Sequence, residues 1–349
     1  MVTHVISVDN ILDYDQYVVA WFVNVATHQL LNMSIPELAI AIQKYKELYR
    51  RSTEFVEKLK NVFRKEDVCG LEPPIPLTPN DKPELFNPCK AIEFLSDASR
   101  GKVDQFPLPP ALSFEFAEHI RTYMPTPKTY TLKRNAIAIT SEVLALSVIG
   151  AYASRVYATG GEYGYTFVNT YNPKIVNIEK LNSMARKVTR AIVYGDGSRL
   201  ALLVGLASAV ALNVRKHLLE VDGRTFYSSI RIVKTGNKTI LKAYEALDLT
   251  DLSLTIGRLR IASAIYKLVS RYPSRELLKT NKQARNARSI IEEIAKAIYK
   301  YHLYGDPAEL YRTLRIAMTK TALSDLTSYL TLKGVNANAV INRLLSIRV

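Results

Sequence analysis

Eleven of the fifteen prolines in this 349-residue chain fall between Pro73 and Pro127. Proline fixes its own φ, lacks a backbone donor and drives the residue before it out of the helical region. No long helix or central strand can pass through such a stretch, so an irregular segment is expected at about 67–127. Helical fragments fit near 90–98 and 111–122. A segment of this kind is either a binding loop or arm, or an irregular cover over the core, and both readings stay open.

On its N-terminal side, VISV reads as a short strand. The acidic cluster Asp9, Asp13 and Asp15 precedes an apolar helix over 17–31, where helix N-terminal stabilisation is the expected role. Ser34, Pro36 and Glu37 form a capping-box pattern that opens a second helix running to about 64. Its apolar positions alternate by four and three from Leu38 through Val56 and Leu59 to Phe63, the seam of an intramolecular helix pair.

Beyond the prolines a helix is expected over 136–157, a strand over 165–170 and helices near 178–193 and 198–219. Gly195, Asp196, Gly197 and Ser198 read as a turn with an N-cap between the last two. The uncharged run at 200–214 is too short for a bilayer, and the run at 135–154 carries Glu142, so both read as buried helices and no membrane partner is expected. A β-hairpin over 225–234 and 239–247 turns at Gly236-Asn237. Its register sets Arg231 opposite Lys242, with Tyr227, Ser229 and Tyr244 on the same outward face. From residue 251 the pattern is helical, with breaks at Pro273, Gly305-Asp306-Pro307 and Gly334. The expected fold is α+β and predominantly helical. It comprises an irregular α/β domain with a β-hairpin (1–250), then a basic helical bundle (251–349).

Charge decides the class of partner. The chain carries +15, of which +10 lies in the last 99 residues, with 17 Lys and Arg against 7 Asp and Glu. Over 258–288 only Glu276 opposes nine cations. Arg275, Lys279 and Lys282 fall at i, i+4 and i+7 on one helix face, with Arg271 and Arg285 close by. This strip is expected to hold phosphate backbone without reading bases. On the hairpin, Arg231 and Lys242 repel unless something anionic covers them. That face, with Tyr244, is either a nucleic-acid surface or a solvated one.

Cys69 and Cys89, the two cysteines, are expected as free thiols in a reducing cytosol. The five histidines form no metal-ligand spacing. No nucleophile elbow, phosphate loop or catalytic-cysteine signature is present. The reading is therefore of a non-enzyme without cofactor or metal.

The opening VISVDNILDYDQYVVAWF, the proline-rich α/β middle, the hairpin and the basic C-terminal bundle together resemble the large subunit of archaeal type I-A CRISPR surveillance (Cascade) complexes. Low Gln and Cys with abundant Tyr, Lys and Ile suit a thermophile. The resemblance implies a cytoplasmic, non-catalytic antiviral subunit whose partners are CRISPR RNA, target DNA and the other subunits. It further implies recognition of the short motif beside the target, R-loop stabilisation and recruitment of a helicase-nuclease. Gly160, Gly161, Asn169, Asn172 and Lys174 are the candidate motif-reading loop, a strand-connecting turn being the plainer reading. The rivals are a stand-alone basic DNA- or RNA-binding protein and an enzyme without a legible motif.

Overall fold

The computed structural model describes residues 4–31, 45–63, 66–116, 137–170, 176–214, 224–317 and 319–346. The chain is α+β and predominantly helical, with two small sheets. It divides into two compact units, Met1–Tyr165 with Ser229–Glu245, and Thr166–Ser228 with Ala246–Val349.

The first unit is built on α1 (Val18–Leu31), α2 (Tyr45–Phe63), α3 (Pro88–Ala98) and α4 (Ser141–Ser154). Strands β1 (His4–Ile6), β2 (Gln105–Pro107) and β3 (Ile137–Thr140) form a sheet with β3 in the middle, parallel to β1 and antiparallel to β2. Proline is tolerated at Pro107 because β2 is an edge strand. The helix expected over 136–157 is corrected here: Ile137–Thr140 is a strand, and the helix starts only at Ser141. A short buried strand and a buried helical turn carry the same uninterrupted apolar run, so periodicity cannot separate them.

Every residue of α4 is buried. Gly150 lets α1 approach it closely, since a β-carbon there would lie 1.9 Å from the Phe22 carbonyl oxygen. On α2, Leu48, Ser52, Val56 and Leu59 are buried, and the helix packs on α3 and α1. That is the intramolecular pairing expected of the seam. Ser34, Leu38 and Ile42 lie outside the described residues.

The proline-rich stretch serves as a cover in its described part. Leu71 and Ile75 are buried, and the carbonyls of Glu72 and Pro74 accept from the hydroxyls of the buried Tyr152 and Tyr165 at 2.8 and 2.7 Å. Half of the second expected fragment, 117–122, lies outside the described residues. Cys69 and Cys89 are joined in a disulfide, with Cα atoms 5.3 Å apart, so the expectation of free thiols is corrected. They lie at a sequence separation of 20 across a stretch of unlike character, and neither composition nor spacing pairs two cysteines.

A second sheet has the order β4 (Arg155–Thr159), β5 (Glu162–Thr170), β6 (Thr225–Thr235), β7 (Lys238–Asp248). The hairpin turns at Gly236-Asn237, the expected position. Tyr227 departs from the expected pattern: it is buried, as are Thr225, Ile230 and Ile232. Burial therefore falls on odd positions at the start of β6 and on even ones further along, whereas a strand with one wet face keeps a single parity.

The second unit consists mainly of α5 (Ile178–Gly195), α6 (Arg199–Asn213), α7 (Thr250–Arg258), α8 (Ala262–Val269), α9 (Arg275–Thr280), α10 (Lys282–Tyr304), α11 (Pro307–Ala317), α12 (Lys320–Leu332) and α13 (Ala337–Leu345). The uncharged α6 is its centre and packs against α5, α7, α8 and α10. That contact brings 166–228 into the bundle, a division different from the one expected at residue 250. An apolar helix needs cover on several sides, and the C-terminal helices supply it. Among the described residues no helix is long and apolar enough to cross a membrane.

Candidate nucleic-acid interface

The hairpin cations are answered from within the first unit. Glu162, at the start of β5, places one carboxylate oxygen 3.4 Å from Arg231 Nε and the other 3.9 Å from Lys242 Nζ. Tyr157 donates to the same carboxylate at 2.9 Å. Tyr244 stacks on Phe116 with ring centroids 4.2 Å apart and planes 20° from parallel, and burial raises its hydroxyl pKa. Arg231, Lys242 and Tyr244 do share a half-open face, but it holds its own anion and its own stacking partner.

Gly160 and Gly161 form a two-residue turn between β4 and β5, both with positive φ, a conformation that glycine adopts without strain. Lys234 N donates to the Gly161 carbonyl at 2.8 Å, which sets this turn beside the exposed hairpin tip, Lys234 to Lys238. Asn169 lies at the far end of β5, eight residues from Gly161, so the two are not brought together. Asn172 and Lys174 lie outside the described residues.

The C-terminal strip is not one helix face. Asn281 leaves the helical region (φ −122°, ψ 115°), ending α9 and capping α10, where its side chain accepts from Ala284 N at 3.0 Å. Arg275 and Lys279 thus belong to one helix, Lys282 and Arg285 to the next. Asparagine's competence as a cap competes with its place in a helix, and here the cap wins. Arg275 donates to the Asp196 carboxylate at 2.8 Å, and that hydrogen bond together with the charge behind it holds the Asp196 pKa below its ordinary value. Arg285 donates to the carbonyl of Leu278 at 3.2 Å, at the C-terminal end of α9. Lys279 and Lys282 are exposed and make no ion pair among the described residues.

Only Arg271 of the strip reaches the feature that the sequence did not disclose. A cleft of 570 Å³ in the second unit is lined by Lys187, Arg190 and Tyr194 from α5, and by Tyr266, Lys267 and Arg271 at the end of α8. Ala191, Ser270, Tyr272, Ser274 and the 334–336 turn complete the described wall, which includes no carboxylate. On α5, Lys187, Arg190 and Tyr194 follow at spacings of three and four, so they share a face, while Leu181, Ala185, Val188 and Ile192 point into the core.

Arg190 lies over the Tyr194 ring, 5.5 Å from its centroid. The Tyr329 hydroxyl donates to the Arg271 carbonyl and fixes the backbone that carries this cation. Burial pushes the Tyr329 hydroxyl up to about 12, and it raises Tyr266 too, while the positive charge of Arg271 opposes both shifts. Tyr272 donates to Glu292, which also accepts from Ser198, and this carboxylate pins the α5–α6 turn against α10.

Four cations and three tyrosines around one concavity match a phosphate backbone with unstacked rings or bases beside it. Lys187, Arg190 and Tyr194 fall at helical spacing on α5, an ordinary amphipathic pattern that singles out no site. Nothing in their spacing joined them to Lys267 and Arg271, about 80 residues further on. No protein-family description, curated protein or solved structure matches the chain.

Proposed function

We propose that the chain is a non-catalytic nucleic-acid-binding protein whose C-terminal unit holds a phosphate backbone in the Lys187–Arg190–Lys267–Arg271 cleft. The observation that carries this reading is the make-up of the cleft, four cations with interleaved tyrosines and no carboxylate among its described residues. Unopposed cations around a concavity focus positive potential there and attract polyanions.

The resemblance extends the proposal to a large subunit of an RNA-guided surveillance complex. In that setting the cleft takes a strand of the target or the guide, the paired turns at 160–161 and 236–237 face the duplex beside the target, and a helicase-nuclease is recruited on target binding. A cytoplasmic location belongs to this reading, since intracellular proteins of hyperthermophiles carry disulfides. Its partners are CRISPR RNA, target DNA and the other subunits.

The test is fluorescence anisotropy with labelled single strands and duplexes, alongside purification of the tagged protein from its native host with sequencing of bound RNA. An Arg190→Ala, Arg271→Ala double variant should lose at least about tenfold in affinity, equally for unrelated sequences. Copurified short repeat-derived RNA supports the complex subunit; binding without such RNA favours the stand-alone protein. Unchanged affinity in the double variant contradicts the cleft reading itself.

A further inference from the structure

Helix α11 is apolar on two sides. Its inner side buries Leu310 and Leu314. The opposite side places Ala308, Tyr311, Arg312, Arg315 and Ile316 at i, i+3, i+4, i+7 and i+8, and these residues line a surface concavity of 520 Å³. Ile316 is 58% exposed and Tyr311 37%. Two large apolar side chains exposed on one helix face beside two arginines have the make-up of a contact site.

The charges narrow the occupant. Glu309, the one acid on α11, is taken by Lys300 Nζ at 2.5 Å. Arg312 and Arg315 make no ion pair among the described residues. A phosphate backbone satisfies two arginines but leaves Ile316 in water. A second copy packed about a two-fold axis sets this patch against itself, arginine facing arginine, in a chain of net charge +15. What remains is a surface that is apolar and basic together.

We propose that the outer face of α11 docks an acidic amphipathic helix of a partner protein. Its apolar row packs on Ile316 and Tyr311, and its carboxylates take the forked donors of Arg312 and Arg315. The proposal does not depend on the cleft, whose described lining shares no residue with this face.

The experiment uses the full chain and a fluorescein-labelled designed helical peptide of three heptads, with Leu at a and d and Glu at e and g. A second peptide carries Lys in place of Glu. Wild-type protein should bind the Glu peptide, while Arg312→Glu with Arg315→Glu, or Ile316→Asp alone, should weaken binding at least about tenfold. Circular dichroism and an unchanged affinity for oligonucleotide show that these variants remain folded. The proposal is overturned if the variants bind the Glu peptide as wild type does, or if the Lys peptide binds equally well. It is overturned equally if sedimentation shows a self-association that Ile316→Asp abolishes, or if Arg312→Glu with Arg315→Glu loses oligonucleotide instead of peptide.

Discussion

The Arg275 guanidinium donates to the Asp196 carboxylate at 2.8 Å, closing the α5–α6 turn onto the start of α9. Asp196 sits there in the left-handed region, with φ 55°. Both side chains are largely exposed, so the pair adds little to stability but occupies a cation that otherwise belongs to the basic surface. Asp196→Asn should release Arg275. Nucleic-acid affinity should rise a few-fold and the salt slope should steepen by up to about one unit, with little change in Tm. Because Asp196 has a lowered pKa, its contribution to stability is present above the unfolded value and lost as pH falls through the folded one. Acidification should therefore mimic the substitution only below the ordinary carboxylate range. Equal affinities at neutral pH for the variant and wild type contradict this role.

The Cys69–Cys89 bridge closes a loop across a sequence separation of 20 residues. On the chain-entropy account, a loop of that size is worth about 3 kcal/mol. Denaturant titration with and without dithiothreitol should show a loss of that order, and Cys69→Ser should match the reduced wild type. Mass spectrometry after alkylation without reductant should find neither cysteine labelled. Labelling of both in folded protein contradicts the bridge.

Two glycines offer a paired test of packing. A β-carbon at Gly150 meets the Phe22 carbonyl oxygen at 1.9 Å, whereas one at Gly257, also within a helix, meets nothing within 4 Å. Gly150→Ala should cost roughly 3 kcal/mol or more, since backbone atoms of α1 must retreat. Gly257→Ala should stabilise by about 0.4–1 kcal/mol through the entropy of the unfolded chain. Thermal unfolding of both variants checks the pair, and similar effects at the two positions contradict the α1–α4 packing.

Glu142 opens α4 from a buried position, and burial raises its carboxyl pKa, with Asp9 adding to the shift and hydrogen bonds from Thr140 and Ser141 opposing it. A raised folded pKa means that the native state binds the proton more tightly than the unfolded chain. The stability this gives is complete below the unfolded pKa and lost as pH rises through the folded one. Glu142→Gln should therefore raise Tm at neutral pH and flatten the decline of stability with pH just above the carboxylate range. A variant less stable than wild type at pH 7 contradicts this.

Elements defined by local chemistry were legible in the sequence. The Gly236-Asn237 hairpin, the Ser198 cap and the breaks at Pro273, Gly305 and Gly334 all sit where glycine, proline and capping residues place them. What the sequence hid depends on residues far apart along the chain. Arg231 and Lys242 implied an anion, but Glu162 comes from a strand some 70 residues earlier. The 275–285 strip followed helical spacing until Asn281 broke it, a choice between capping and propagation that local pattern leaves balanced. Half of the cleft, Lys187 and Arg190, lies on a mixed amphipathic helix, a pattern that by itself marks only a solvated face.

The central claim is that the cleft grips phosphate, and the salt dependence of binding tests it most directly. Each cation contacting a phosphate of a single strand releases about 0.7 counterion. Replacing Lys187, Arg190, Lys267 and Arg271 together by Ala should thus flatten the slope of log affinity against log salt by roughly two to three units for any oligonucleotide. Arg275→Ala with Lys279→Ala and Lys282→Ala should change it less, because Arg275 is already held by Asp196. A quadruple variant that stays folded and keeps the wild-type slope and affinity contradicts the account.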